Sequence, residues 1–435
     1  MNRHFQRQHS SEREHPNGTL PLTRRAMLRA GGLSLLASAL TPGPMGWLDA
    51  GVARAFTGVP RSSAQRGVDP LLVVIFLRGG ADGLHLAPPA GDPHYARVRE
   101  SLALDDALSF AGPVGLHPKL VSLKDLAAEG NLAVIHAVGS HHPTRSHFEA
   151  QDFMEAGEPA NARVLDGWMT RALRGSAKTN VFASLALASE LPLSLRGSGS
   201  FAIAHPRDFG LPRVSPAARQ ILEALYAGGG DDPLESAGRR ALDAVEEMKA
   251  LRVEPTARRR RRRPRRAGRA GLVDAARHLA ELDAAGVPVR AVALESSGWD
   301  THSHQGTAEG PMARSIEDLG DAMASIFSSL GHRDPTLVVM TEFGRTVRPN
   351  GSGGTDHGHG SVMFVAGRSV AGGLFGATPG LRANDLYEGR DLAVTTDYRS
   401  VLCEVIGHHL GGDPPPGVFP GFRPVPLGLF GSSRA

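Results

Sequence analysis

The chain has 435 residues, of which 41% are hydrophobic, and a formal net charge of +4. This length is ample for a sizeable core and fits one domain with insertions, or two domains. A single cysteine, Cys403, excludes an internal disulfide, so compactness must come from the core or from a metal. Past the N-terminal region no segment has the length and apolarity of a membrane span, so no permanent membrane anchor is expected.

The N-terminal segment has the pattern of an export signal. The pair Arg24-Arg25 precedes an apolar stretch of small residues at 30–40, and Ala53-Arg54-Ala55 would suit a signal peptidase. We predict a twin-arginine signal over 1–55 and a linker over 56–70. Export by the twin-arginine machinery would place the protein in the periplasm or outside the cell. A disordered basic segment with an accidental arginine pair is the alternative.

Five apolar runs predict strands that are buried in a sheet. Helical patterns separate several of them, including one at about 312–330. Such alternation favours an α/β fold with a largely parallel sheet and helices on both faces. In such sheets the ligand site lies at the carboxyl ends of the strands. The runs lie at 71–77, 132–138, 287–294, 336–340 and 362–366.

An arginine run carries much of the positive charge. It extends from Arg258 to Arg263 and continues as Pro264-Arg265-Arg266. Such a block repels itself, so we predict a solvated, flexible loop within an insertion at 255–270. Nucleic-acid binding is the alternative reading of the run, but no aromatic residues interleave with it, and no nucleic-acid partner is expected.

Acidic and histidine side chains follow four of the predicted strands and directly precede the fifth. Carboxylates and imidazoles are the donors that a divalent ion needs. We predict that these side chains converge on one edge of the sheet and hold one ion of zinc, manganese or calcium, or two ions close together. The candidate ligands are Asp82, Asp300, His302, His304, Glu342, Asp356, His357 and His359.

Several of these side chains also have an ordinary structural explanation. Asp82 lies in a glycine-rich turn, where an Asp more often caps or forms the turn. Glu342 could form a local ion pair with a nearby arginine. His141 and His147 could be ordinary histidines of a loop and a helix start. The two clusters at 300–304 and 356–359 are harder to explain without a shared cation, because imidazole and carboxylate repeat there at short spacing.

Five motifs resemble those of the domain of unknown function 1501 family. The resemblance runs in order from about residue 71 to residue 410 and includes the twin-arginine start. It implies one domain, which we place at 71–425. The motifs are Arg78-Gly79-Gly80-Ala81-Asp82-Gly83, Arg145-Ser146-His147-Phe148-Glu149, Gly298-Trp299-Asp300-Thr301-His302, Thr341-Glu342-Phe343-Gly344-Arg345-Thr346 and Gly354-Thr355-Asp356-His357-Gly358.

That family in turn resembles the alkaline phosphatase and sulfatase superfamily. The resemblance implies a three-layer α/β/α sandwich with a metal site for phosphate or sulfate esters. Phe343 stands where the superfamily has a ligating histidine, so His302 or another histidine would have to fill that coordination position. The other ligand positions match Asp82, Asp300, His304, Glu342, and either His357 or His359.

The nucleophile position of the superfamily pattern falls on His141. Thr144 and Ser146 are nearby hydroxyls that a metal could activate, although neither stands in the expected register. Arg145 matches a contact to an oxyanion or a sulfate, because its guanidinium is a planar, permanently charged fork.

These features together predict an exported metal-dependent hydrolase of phosphate or sulfate esters. Its substrate would be an anionic ester or glycan, such as an ester on a polysaccharide. The alternative is a catalytically inactive, sulfatase-like protein that uses the same edge of the sheet to bind an anionic glycan or a partner at the cell surface.

Overall fold

A computed structural model of the chain describes residues 70–157, 166–174, 180–197, 199–211, 214–227, 232–251 and 271–430. The predicted signal (1–55), all but the last residue of the predicted linker (56–70) and the predicted arginine-rich insertion (255–270) lie outside the described residues. Among the residues that are described, no helix has the length and apolarity needed to cross a membrane.

The described residues form a nine-stranded sheet and a separate two-stranded one. The strands are β1 (Leu71–Arg78), β2 (Leu108–Ala111), β3 (Val114–Leu116), β4 (Leu132–Gly139), β5 (Ser184–Ala186), β6 (Phe201–Ala202), β7 (Ala291–Ser297), β8 (Pro335–Thr341), β9 (Ser361–Ala366), β10 (Gly373–Phe375) and β11 (Thr396–Asp397). The large sheet has the order β10-β4-β9-β8-β1-β7-β5-β6, and β11 pairs with β4. The small sheet consists of β2 and β3.

Strand β9 is the exception to the direction of the large sheet. It runs antiparallel to its neighbours β4 and β8, whereas the other pairs of this sheet are parallel. Because β9 is reversed, the residues that precede it lie at the same edge as the residues that follow β1, β4, β7 and β8. We call this edge the rim. All five predicted sets of polar side chains therefore come to the rim.

Helices connect many of the strands. They are α1 (Gly83–Leu86), α2 (Tyr95–Arg99), α3 (Lys124–Ala128), α4 (His147–Ala156), α5 (Trp168–Leu173), α6 (Pro216–Tyr226), α7 (Pro233–Ala250), α8 (Leu272–Ala284), α9 (Pro311–Leu330) and α10 (Tyr398–Leu410). Helix α9 matches the helical pattern predicted at about 312–330. It begins with a proline, which suits the first helical position because that N–H has no partner within the helix. Its buried side chains, spaced three or four residues apart, include Met312, Ile316, Leu319, Met323, Ile326 and Leu330.

The hydrophobic core lies on both faces of the large sheet. Along β1, the odd-numbered residues from Leu71 to Leu77 join one cluster, and the even-numbered residues from Leu72 to Phe76 join another. The first cluster includes residues of α6 to α9, and the second includes residues of α4, α5 and α10. Strand β1 is thus buried on both faces, as its unbroken apolar run predicts. The mixed α/β class with a large, mostly parallel sheet is confirmed, while the three-layer, alkaline-phosphatase-like sandwich stays a prediction.

Candidate metal centre

Four side chains meet at the rim, and we call them the His/Asp cluster: His147, Asp300, His302 and His357. His147 is the first residue of α4, Asp300 and His302 follow β7, and His357 precedes β9. Asp300 Oδ1 lies 3.0 Å from His302 Nε2, 3.3 Å from His357 Nε2 and 3.5 Å from His147 Nε2. The Nε2 atoms of His302 and His357 are 2.9 Å apart. Three imidazoles thus converge on one carboxylate oxygen.

The other ring nitrogen of each imidazole has its own partner. His147 Nδ1 lies 2.7 Å from Glu342 Oε1, and His302 Nδ1 lies 2.9 Å from Asp356 Oδ1. Nδ1 of the third imidazole, that of His357, lies 2.8 Å from the backbone oxygen of residue 145. Since these oxygens only accept, each Nδ1 carries the hydrogen and donates it. In the neutral imidazole the lone pair is then left on Nε2, the atom that faces the cluster.

These distances fit a bound divalent ion. Zinc–nitrogen bonds of about 2.0–2.1 Å in a tetrahedron separate the donor atoms by roughly 3.4 Å, close to the spacings within the His/Asp cluster. Two imidazole lone pairs at the separation of His302 and His357 repel each other unless a cation or a proton lies between them. In addition, His147 Nε2 is buried and has no hydrogen-bond partner among the described residues. A metal ion would satisfy the nitrogens of His147 and His357, whose donor atoms lie with one of Asp300 within 4.8 Å of one another.

The charges around the His/Asp cluster keep its carboxylate ionised. Partial burial alone would raise the pKa of Asp300, but the hydrogen bond and charge of Arg345 hold this pKa below its usual value. The hydrogen bond to Glu342 raises the pKa of His147, whereas burial lowers the pKa of His357. Asp300 is therefore ionised, and its Oδ1 atom is shared between Arg345 and the imidazoles.

Arg345 joins three of the loops that form the rim. Its guanidinium is buried and donates to Gly80 O at 2.6 Å, to Thr355 O at 3.0 Å and to Asp300 Oδ1 at 2.5 Å. It also donates to Gly79 O. These acceptors lie after β1, after β7 and before β9, so one side chain fixes the position of the Asp300 carboxylate relative to both glycine-rich loops.

Two of the predicted ligands, Glu342 and Asp356, accept hydrogen bonds from imidazoles of the cluster. Glu342 is buried, and besides His147 it accepts hydrogen bonds from Gly79 N and Gln151 Nε2, both at 2.8 Å. Asp356 accepts from His302 and, at 2.9 Å, from the side-chain amide of Asn350. Carboxylates that orient ligating imidazoles in this way are common around protein metal sites.

Phe343 packs against the cluster. Its ring is buried, and its centroid lies 4.8 Å from the ring of His147 and 5.1 Å from the ring of His357. Phe343 therefore forms an apolar wall for two imidazoles. The two histidines next to the residue that cannot ligate are His147 and His357.

Three other predicted ligands lie outside the His/Asp cluster. Asp82 is buried, and its carboxylate pairs with Arg99 at 2.6 Å and accepts from Gln305 Nε2 at 2.7 Å. It also caps α1, as the ordinary explanation expects. His304 is exposed and has a positive φ of 49°. His359 is buried and stacks on a tyrosine ring.

The predicted catalytic residues lie in the loop between β4 and α4. Thr144 Oγ1 donates to Glu149 Oε2 at 2.5 Å, and Ser146 is an exposed residue at the N-cap position of α4. His141 is exposed. Arg145 forms ion pairs with two carboxylates, while its backbone oxygen accepts from His357. The loop therefore touches the His/Asp cluster through its backbone and through His147.

His147 is the member of the cluster that is absent from the predicted ligands, because its sequence context equally fits an ordinary helix-start histidine. A signal was present. His147 follows a buried strand, as the acidic residues of the other loops do, and it stands within a motif that resembles the family. A lone histidine without a neighbouring carboxylate nevertheless carries little information about its partners.

Replacing Glu342 with glutamine is expected to weaken metal binding about 10- to 100-fold. Loss of a hydrogen-bond partner of a ligating imidazole has an effect of this size in other metal sites. The amide has one acceptor oxygen in place of a carboxylate that accepts several hydrogen bonds, so the His147 ring loses its fixed tautomer. Competition with a chromophoric chelator measures the affinity. Glu149→Gln, on the helix that begins with His147, is the control, and equal affinities in both variants would contradict the role of Glu342.

One family model matches part of the chain. Residues 211–415 match the model of a family described as "Protein of unknown function (DUF1501)". Over these residues, the chain is similar to that family. It includes Asp300, His302 and His357 of the cluster, whereas His147 lies before the matched residues. A search of curated proteins gave no significant match.

Among solved structures, the chain is similar to the C-terminal periplasmic domain of EcEptC from Escherichia coli, in a complex with Zn. The sequences are 9% identical, and the similarity covers 69% of this chain and 73% of that one. The TM-score is 0.32. At this value, no conclusion about this chain follows from the similarity.

Proposed function

We propose that this protein is an exported metal-dependent hydrolase of phosphate or sulfate esters, acting on an anionic ester or glycan. The observation that carries the proposal is the convergence of three imidazole Nε2 atoms on Asp300 Oδ1 at the rim. This arrangement supplies the donors of a hydrolytic metal site, and it lies where ligands bind in parallel α/β sheets.

The residues that would hold the ion are His147, Asp300, His302 and His357. Imidazole nitrogens together with a carboxylate oxygen suit zinc or manganese, whereas calcium prefers oxygen ligands alone. One group of donors at this spacing, His147, Asp300 and His357, is found among the described residues, which favours one ion over two. When bound, a divalent ion supplies Lewis-acid chemistry that polarises an ester oxygen.

The surrounding residues fix the orientation of the proposed ligands, and the side of the cluster with Asp300 and His302 is open to solvent. Glu342, Asp356 and the backbone of residue 145 orient the imidazoles, and Arg345 holds Asp300. The side chains of Asp300 and His302 are 43% and 44% exposed, so an ester can reach the cluster from solvent.

Thr144 is the better placed of the two candidate nucleophiles. Its hydroxyl donates to Glu149, a carboxylate that can accept the proton when the oxygen attacks. Ser146 is exposed at the start of α4 and adjoins His147 in the chain. The assignment of Thr144 as nucleophile, Glu149 as base and Arg145 as anion contact belongs to this proposal.

The proposal also includes the three-layer fold of the domain and the location of the protein outside the cytoplasm. We propose the three-layer, alkaline-phosphatase-like sandwich over residues 71–425, because alternate residues of β1 enter two clusters and each cluster includes helices. The twin-arginine motif at Arg24-Arg25 supports export to the periplasm or beyond.

A binding protein without activity is the second candidate. It is favoured by His141, which stands at the nucleophile position of the superfamily pattern, and by Phe343, which cannot ligate a metal. In that case the same rim would bind an anionic glycan or a partner protein at the cell surface, with no ester cleaved.

An activity screen separates the two candidates. The metal-loaded mature protein is expected to hydrolyse aryl phosphate or aryl sulfate esters, and a chelator is expected to remove the activity. Thr144→Val is expected to lower kcat about 100-fold or more, because it removes the hydroxyl. Ser146→Ala serves as the comparison. A folded, metal-bound protein that cleaves neither ester would leave the binding candidate.

A further inference from the structure

Two arginines lie beside the His/Asp cluster and are fixed to one buried carboxylate. Asp391 is completely buried, and its Oδ2 lies 2.8 Å from Arg145 and 2.9 Å from Arg390. Both arginines also contact His357. The backbone oxygen of Arg145 accepts from the His357 ring, and the guanidinium of Arg390 donates to the His357 backbone oxygen at 2.8 Å. The two cations are therefore positioned relative to a proposed metal ligand.

One carboxylate cannot neutralise two guanidiniums, and the remaining charge is met by Glu388. Its Oε2 lies 2.6 Å from the Arg145 guanidinium. The two partners differ in burial, since Glu388 is 53% exposed and Asp391 is 0% exposed. A half-exposed ion pair is weak because solvent screens it, whereas removing a buried partner leaves a charge without compensation. Glu388 is thus the carboxylate that can leave.

The backbone at Glu388 is unusual. Its φ is +53°, a left-handed value that residues other than glycine seldom adopt, and Gly389 follows with φ +66°. The two residues form the tip of a tight turn in which Tyr387 and Asp391 exchange backbone hydrogen bonds. Such turns favour Asn, Asp or Gly at both tip positions. A glutamate there is disfavoured locally, yet it places a carboxylate on Arg145.

We propose that Arg145 and Arg390 form a binding site for a tetrahedral oxyanion, a sulfuryl or phosphoryl group, beside the metal centre, and that Glu388 occupies it until the anion displaces it. Planar guanidinium forks match the oxygens of such groups. The inference rests on the proposed function for the identity of the substrate as an anionic ester. Binding of a free inorganic anion, however, does not require a metal ion.

Sulfate binding by the metal-free mature protein tests this site. The protein is dialysed against a chelator and titrated calorimetrically with sodium sulfate at constant ionic strength, since salt screens exposed charges. Glu388→Gln is expected to bind sulfate about three- to fivefold more tightly, the size of one exposed ion pair. Arg145→Gln is expected to weaken binding about tenfold or more, with circular dichroism confirming its fold.

Asp385→Asn is the matched control. It removes the same charge from another exposed pair, with Arg382, and is expected to leave the affinity for sulfate unchanged. Equal affinities of the parent protein and Glu388→Gln, or equal tightening in Asp385→Asn, would overturn the inference. Because these titrations are made without metal, sulfate binding together with an inactive metal-loaded protein would refute only the proposed hydrolase.

Discussion

Alanine at position 302 or 357 is expected to remove stoichiometric metal from the purified protein. Each substitution deletes one of the imidazoles that surround Asp300 Oδ1 and leaves an incomplete donor set. Residues that hydrogen-bond to metal ligands contribute about 10- to 100-fold to metal affinity. Loss of a ligand itself is therefore expected to lower the affinity more than about 100-fold. His147→Ala is expected to have the same effect. Elemental analysis by mass spectrometry, per mole of folded chain, measures it.

The controls come from histidines that the sequence also offered as ligands. His304→Ala and His359→Ala remove imidazoles that lie outside the His/Asp cluster, and both variants are expected to keep the metal. Loss of metal in these two variants with retention in His302→Ala would move the site away from Asp300 and contradict the proposed centre.

Lysine in place of Arg345 is expected to destabilise the protein by about 3 kcal/mol or more. Lysine keeps the charge, but its single ammonium group cannot reach acceptors in three separate loops as the guanidinium does. The carbonyl groups of Gly80 and Thr355 would be left buried without these donors, and Asp300 would lose its fixed position. Urea unfolding of the metal-free protein measures the free energy directly, without a contribution from metal binding.

Arg348→Lys is the comparison for this variant. The Arg348 side chain is 63% exposed and pairs with Glu100 at 3.4 Å, so its free energy of unfolding is expected to change by less than about 0.5 kcal/mol. Similar small changes in both variants would show that Arg345 does not hold the loops of the rim together.

The long buried strands could be predicted from sequence because their apolar runs are unbroken. The run at 71–77 became β1, and the run at 362–366 became β9 with one more residue at its start. The run at 287–294 begins four residues before β7, since Pro288 lacks the N–H that a strand ladder needs. Strands β5, β6, β10 and β11 have only two or three residues each, too few for a pattern.

The direction of β9 could not be predicted, because an apolar run has the same composition in either direction. The roles of the acidic residues were hidden for a related reason. Asp82 and Asp300 both follow a strand and a glycine. A buried arginine and a glutamine bind the carboxylate of Asp82, whereas imidazoles surround that of Asp300. Apart from His302, which is two residues from Asp300, those partners come from other parts of the chain, so local spacing does not reveal them.

X-ray absorption spectroscopy at the metal edge tests the proposed centre most directly. The mature protein, purified from an exporting host without added chelator, is expected to hold one divalent ion per chain. Its spectrum is expected to show imidazole scattering and nitrogen or oxygen donors at about 2.0–2.1 Å. A metal-free protein, or an ion surrounded by oxygen donors without imidazole, would contradict a site built from His147, His302, His357 and Asp300.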